Sequence, residues 1–327
     1  MIPSQITSAL MALLPLRQPV FLWGAPGVGK SQVVRQVASA LGVELCDVRA
    51  ILLDPVDLRG LPRIDANNRA AWCAPAFLPK QGQGVVFLDE LNAAPPLVQA
   101  ACYQLVLDRR LGEYELPEGW AIVAAGNRET DRAVTHRMPS ALANRFVHLD
   151  FEADLEDWVS WAVKNDIPEE LVAFLRFRPE LLHSFDPTRN EKSFPSPRSW
   201  EFVAKIMRSA PDPKIFPALA AGTVGLGAAS ELLGFLRVYE DLPDVDDILA
   251  QPGTSVLPED PATLYALCQA LAYRVDERTV SALLDIALRL PAEFSVLLAR
   301  DCVRRYPPFV QHPDFERWAQ VHVDILM

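Results

Sequence analysis

Two kinds of apolar pattern divide this chain. Up to about residue 152, short continuous apolar runs alternate with helix-period stripes; beyond it the stripes continue alone. Val20–Trp23, Gly84–Leu88, Trp120–Ala125 and Phe146–Phe151 are runs of buried-strand type, and Val43–Arg49 reads as another strand. Ser31–Leu41 places Val33, Val34, Val37 and Leu41 on one helical side. Pro95–Pro96 opens a helix to about Asp108, with Val98, Cys102, Leu105 and Val106 inward. Asp54–Pro55 starts a short helix that Gly60 ends. Pro62–Ile64 and Arg69–Trp72 flank the turn-forming Asp65–Asn68, so a small hairpin is expected there, with an ordinary surface loop as the alternative. Tyr114–Leu116 and Trp120–Ala125 read as strands joined at Pro117–Gly119. After Asp154, Trp158, Trp161 and Ala162 mark one helical face, and Leu171, Phe174 and Leu175 the next. A Pro-, Ser- and charge-rich segment, Asp186–Pro197, leads into a helix with Pro197 in its first turn.

The chemistry enters between the first strand and the first stripe. Gly24-Ala25-Pro26-Gly27-Val28-Gly29-Lys30-Ser31 fits the spacing of a phosphate-binding loop, and it has the strand before and the helix after that such a loop needs. Glycines let successive N–H groups turn inward, and the helix adds its positive end. Lys30 would reach the β- and γ-phosphates and the Ser31 hydroxyl would sit on Mg²⁺. The strand Gly84–Leu88 ends in Asp89-Glu90. A carboxylate there can hold Mg²⁺, and its neighbour can polarise the attacking water. Asn127, at the end of the fourth strand, could donate to the γ-phosphate; it could equally be a turn residue. Arg128, Arg132, Arg137 and Arg145 follow in a short space. Arg198 could face nucleotide or solvent. His136 and His148 are read as structural or solvent-facing.

Length, charge and cysteines narrow the picture. A chain of 327 residues is too long for one ordinary core. The net charge of −11 disfavours a nonspecific nucleic-acid surface. Cys46, Cys73, Cys102, Cys268 and Cys302 have no metal-ligand spacing and read as reduced, mostly buried thiols of a cytoplasmic protein. No signal peptide or bilayer-spanning run is expected. The 28 prolines, about 9% of the chain against about 5% in average proteins, point to many short helices.

The order GAPGVGKS, DPVDLRGLP, VVFLDELNAAPP, YELPEGWAIVAAGN, LANRF, SPRSW resembles the MoxR-type branch of the AAA+ ATPases over residues 15–205. The resemblance implies an α/β P-loop core with a parallel five-stranded sheet (residues 1–152, hairpin insert near 61–73). A helical lid (153–210) and a helical C-terminal extension (211–327) would follow. It implies Gly24, Ala25, Pro26, Gly27, Val28, Gly29, Lys30, Ser31 and Gln32 as the nucleotide-binding set. Ser31 and Asp89 would serve Mg²⁺, and Glu90, Asn127, Arg145 and Arg198 would be catalytic, with ATP between core and lid. Arg145 matches the arginine finger that acts across a subunit boundary, and Arg198 the second sensor. The hairpins at 62–72 and near 113–120 would face a central pore. The chain departs from relatives at Ala93, where they carry Arg, and at Ser140–Asn144, where they carry an acid and Gln. The finger therefore stays open among the arginines, with Arg145 preferred on position. The resemblance further implies a hexameric ring, a protein client to remodel, and a partner with a von Willebrand factor A domain. A DNA-linked motor, an ATP-dependent assembly scaffold and, more weakly, a small-molecule kinase are the alternatives.

Overall fold

The computed structural model describes residues 1–64, 70–131, 138–189 and 191–322. Its contacts divide the chain into two compact units: residues 1–154 with 185–190, and residues 155–184 with 191–327.

The first unit runs α1 (Pro3–Leu13), β1 (Val20–Trp23), α2 (Lys30–Leu41), β2 (Glu44–Arg49), α3 (Pro55–Arg59), β3 (Leu61–Ile64), β4 (Ala70–Cys73) and β5 (Gln83–Asp89). It continues with α4 (Pro96–Asp108), β6 (Arg110–Leu111), β7 (Tyr114–Glu115), β8 (Gly119–Gly126), α5 (Ser140–Ala143) and β9 (Val147–Asp150). Five strands form one sheet in the order β2-β5-β8-β1-β9, every pairing parallel.

The continuous apolar runs explain why the central strands β5, β8 and β1 are buried on both faces. Side chains alternate across a strand, and here both sets are apolar. Val20, Leu22, Val85, Phe87, Val123 and Ala125 pack with Ile6 and Leu10 of α1 and Val33, Val34 and Val37 of α2. Phe21, Val86, Leu88, Ile122 and Ala124 pack with Val98, Cys102, Leu105 and Val106 of α4. Helices on both faces of a parallel sheet leave the strand ends free, and ligands of such sheets bind beyond the carboxyl ends. β1, β5 and β8 deliver Gly24, Asp89 and Asn127 to that edge.

Two hairpins project from this layer arrangement. β3 pairs antiparallel with β4, as the sequence pattern predicts; its turn, 65–69, lies outside the described residues. The second hairpin differs from expectation. Tyr114–Glu115 pairs with Arg110–Leu111, and Pro117–Gly119 instead lead into β8 of the main sheet. Gly112, at φ 59°, sits in the hairpin turn.

The second unit is helical: α6 (Leu155–Lys164), α7 (Glu169–Phe177), α8 (Pro197–Arg208), α9 (Phe216–Val224), α10 (Leu226–Glu240), α11 (Val245–Ala250), α12 (Pro261–Tyr273), α13 (Val280–Ala287), α14 (Ala292–Arg305) and α15 (Pro313–Val321). Leu267, Leu271, Leu283, Leu284, Leu298 and Trp318 centre one of its cores. Proline stands in the first turn of α8, α9, α12 and α15, where its missing N–H costs nothing. No described helix is long and apolar enough to cross a membrane. Cys102, Cys268 and Cys302 are buried, Cys46 is half-buried and Cys73 is exposed; all five are free thiols.

Candidate nucleotide site

The loop Gly24–Gly29 turns from the end of β1 into α2. Gly27 (φ 80°) and Gly29 (φ 108°) hold backbone conformations that side chains resist, and Gly29 caps the helix. Lys30, the first residue of α2, is buried. Its ammonium donates to the Gly24 carbonyl at 2.6 Å, the Ala25 carbonyl at 3.1 Å and Asn127 Oδ1 at 3.2 Å. Ser31 Oγ donates to Asp89 Oδ2 at 2.8 Å, and Asp89 Oδ1 accepts the backbone N–H of Glu90 at 3.0 Å. Lys30, Ser31, Asp89 and Asn127 therefore meet as one cluster at the carboxyl edge of the sheet. Glu90 is exposed beside them with φ 55°, ψ 34°. That left-handed conformation costs a non-glycine residue about 1–3 kcal/mol and is characteristic of functional positions.

This donor set fits a magnesium nucleotide. Inward N–H groups, a helix N-terminus and an ammonium suit phosphate. One hydroxyl and one carboxylate suit Mg²⁺, which takes few protein ligands and completes its shell with water and phosphate. Consistently, no group of three or more His, Cys, Asp or Glu side chains among the described residues forms a metal cage.

Comparison with known proteins agrees with the geometry. The family described as "ATPase family associated with various cellular activities (AAA)" matches residues 19–148. These residues thus have the α/β core fold of the AAA+ ATPases. Midasin of Giardia intestinalis is 29% identical over 188 residues, 53% of this chain and 4% of that protein. The human ATPase family gene 2 protein homolog B is 34% identical over 137 residues, 39% of this chain and 17% of that protein. The chain thus spans a small fraction of either relative's length. Among solved structures, the Thermotoga maritima RuvB Holliday junction branch migration motor aligns at TM-score 0.40 and 17% identity, covering 86% of this chain and 83% of that one.

Around the AAA+ cluster the other arginines are placed differently. Arg128 is engaged within its own chain: it lies 3.5 Å from Asp150 and 3.5 Å from Glu152, and its Nη2 donates to the Phe151 carbonyl at 3.5 Å. Arg132, Arg137 and His136 lie outside the described residues. Arg145 is exposed, between α5 and β9, and its guanidinium has no ion-pair partner among the described residues. β9 runs parallel to β1 with Val147 opposite Val20 and Asp150 opposite Trp23. Arg145 therefore stands at the amino edge of the sheet, about 13 Å of strand away from its own phosphate loop. His148 braces this corner. Its Nδ1 accepts from Trp23 Nε1 at 2.9 Å, which leaves Nε2 to donate to the Ala143 carbonyl at 2.7 Å. Gln32 is exposed in the first turn of α2, within 3.4 Å of Arg35. Arg198 belongs to the second unit, exposed in the first turn of α8.

Two polar groups beneath the cluster were not singled out as site residues in the sequence. Asn92 is buried, and its Nδ2 donates to the main-chain carbonyl of Asn127 at 2.7 Å. Gln99, buried on α4, donates through Nε2 to the Ala94 carbonyl at 2.9 Å and the Asn92 carbonyl at 3.3 Å. Tyr103 hydroxyl donates to Gln99 Oε1. Burial, then neighbouring Cys102, pushes the Tyr103 phenol up to about 12, so it keeps the proton it donates. The only sequence signal for this chain of bonds was the i, i+4 spacing of Gln99 and Tyr103 on a helix whose other inward residues are apolar.

Proposed function

We propose that this chain is a MoxR-like ATP hydrolase that works as a ring, most naturally a hexamer, and uses turnover to remodel or activate a protein client alongside a partner with a von Willebrand factor A domain. The family match over residues 19–148 supports ATP hydrolysis in general; the finer reading rests on the sequence resemblance and on one arrangement. Lys30, Ser31, Asp89 and Asn127 converge at one edge of the sheet, whereas the exposed Arg145 stands at the opposite edge. A guanidinium there cannot serve its own phosphate loop and is free to serve a neighbour's.

In this reading the loop N–H groups and Lys30 grip the β- and γ-phosphates. Ser31 and Asp89 would hold Mg²⁺, which when bound neutralises charge shared by those phosphates. Asn127 meets the γ-phosphate. Glu90, next to Asp89 and open to solvent, orients the attacking water for in-line displacement. The neighbour's Arg145 stabilises the charge that develops on the transferring phosphoryl, a contribution of about 10³–10⁵ in rate. Arg128 is the weaker finger because its own carboxylates hold it. Arg198 would act as the second sensor.

The test is complementation between two inactive variants. Glu90→Gln lacks the water-orienting carboxylate but keeps Arg145; Arg145→Ala keeps Glu90 but lends no finger. Each alone should bind ATP and turn it over very slowly. An equal mixture restores a complete site at about a quarter of random subunit boundaries, so turnover should return to roughly that fraction. A mixture as silent as its components, from variants that still co-assemble, would remove Arg145 from the shared site.

A further inference from the structure

Resting on the ATP reading of Asn127, we propose that Asn92 is a positioning residue for it. Together with Gln99, it fixes the end of β8 so that the Asn127 amide meets Lys30 and the γ-phosphate.

A strand end beyond its last pairing is held only by what its backbone bonds to next. The final register of β8 against β5 is Leu88 with Ala124, and against β1 is Trp23 with Gly126. Asn127 is one residue further on. Its carbonyl is held by Asn92 Nδ2 at 2.7 Å, and its side-chain oxygen meets Lys30 at 3.2 Å. Asn92 thus grips the main chain of the residue whose side chain faces the ammonium.

Asn92 is itself held from below. It lies in the short turn between β5 and α4, two residues after Glu90, and Gln99 clamps that turn through the Asn92 and Ala94 carbonyls. The donation from Tyr103 fixes which end of the Gln99 amide points to them. The chain of bonds therefore runs from α4, through the turn that follows the acids, to the end of the neighbouring strand.

The fit is tight and not fully satisfied. Asn92 Oδ1 is buried with no hydrogen-bond partner. It lies 2.1 Å from where a Cβ on Gly126 would stand, so Gly126 has no space for a side chain. A buried amide that uses its donor and leaves its acceptor unmatched is poor packing. It is intelligible if the donor end is what the site requires.

The experiment is a cycle of Asn92→Ala, Asn127→Ala and the double variant. Turnover at saturating ATP, affinity for a fluorescent ATP analogue with and without magnesium, and thermal melting are read for each. Asn92→Ala should lower kcat by about 10-fold to 100-fold, the range for groups that orient a primary group, with ATP affinity within about 3-fold of the parent. The double variant should be no slower than Asn127→Ala alone, because Asn92 acts through it. Gly126→Ala, which removes no polar group but displaces the Asn92 amide, should lower kcat in the same way. Gln99→Met should lower it less.

Losses that multiply in the double variant overturn the proposal, as does a folded Gly126→Ala at parental kcat. Affinity falling in step with kcat overturns it too, since that is general damage to the site. Should Asn92→Ala not fold, Gly126→Ala and Gln99→Met decide by the same criteria. Asn127→Ala at normal kcat would instead overturn the reading of Asn127 itself; a slow Asn127→Ala beside a normal Asn92→Ala overturns only the present inference.

Discussion

The two units handle charge in opposite ways. The AAA+ unit gathers the buried Lys30, the half-buried Asp89 and the exposed Glu90 at the edge of a sheet. The helical unit buries one ion pair. Arg176 on α7 pairs with Asp301 on α14, each nearly inaccessible, with Arg176 Nη2 donating to Asp301 Oδ1 at 2.6 Å. Around them Arg304 and Arg300 meet Glu156 at 2.7 and 3.0 Å. Burial, the largest influence, pulls the Arg176 guanidinium down to about 10, yet it stays charged at neutral pH. Charge at a strand edge can meet a ligand; charge buried between helices fixes which helices meet. Substitutions in the first unit should therefore cost turnover, and in the second, stability.

The largest expected effect sharpens the first half of that contrast. Lys30→Ala removes the ammonium that bonds Gly24, Ala25 and Asn127. ATP binding should fall below detection by titration with a fluorescent analogue, while the melting temperature without nucleotide changes little. Tight ATP binding by this variant would overturn the phosphate-loop assignment.

Next in size is the buried pair. Asp301→Ala leaves Arg176 charged and buried without its carboxylate partner, and breaking such a pair costs about 3–5 kcal/mol. Replacing both partners, Arg176→Met with Asp301→Leu, should recover most of that loss, because the desolvation of two charges disappears with their attraction. Chemical denaturation measures both. A double variant as unstable as Asp301→Ala would mean that the pair is a net source of stability.

These two predictions also mark what the sequence could and could not convey. The parallel sheet was legible because its strands are continuous apolar runs whose alternate residues feed both faces, as Val85 and Val86 do. The turn of Gly24–Gly29 into α2 and the place of Asp89-Glu90 at the end of β5 were legible because each is a local strand-to-turn pattern. The β6–β7 hairpin was misplaced because two-residue strands carry no periodic signal. Asn92 was passed over because its importance lies in a contact 35 residues away. Arg176 and Asp301 are 125 residues apart, and each alone reads as an ordinary surface charge on an amphipathic helix.

A smaller effect tests the start of the segment that carries Arg198. Ser196 caps α8: its Oγ accepts the Ser199 N–H at 3.1 Å, and Ser199 Oγ accepts the Ser196 N–H at 2.7 Å. Ser196→Ala should cost about 1 kcal/mol of stability. ATP turnover that falls much further than this predicts would tie α8 to the site and give Arg198 weight.

The smallest effect concerns pH and comes from Glu156. Burial alone would raise its pKa, but the hydrogen bond from Arg304 and the nearby charges of Arg176, Arg300 and Arg304 outweigh burial and hold the carboxyl below its ordinary value. A group depressed in the folded state binds its proton more readily when unfolded. Its contribution to stability is therefore complete above the ordinary glutamate pKa and is lost as pH falls through the folded value. The side chain is partly open to solvent, so screening keeps the contribution small. Glu156→Gln should be slightly less stable than the parent near neutrality and should approach it as the pH drops below the glutamate range. Melting curves between neutral and acid pH check this. Parallel curves would mean that the cluster around Arg176 is held by Asp301 alone, and that the ring of arginines on α14 contributes nothing that titrates.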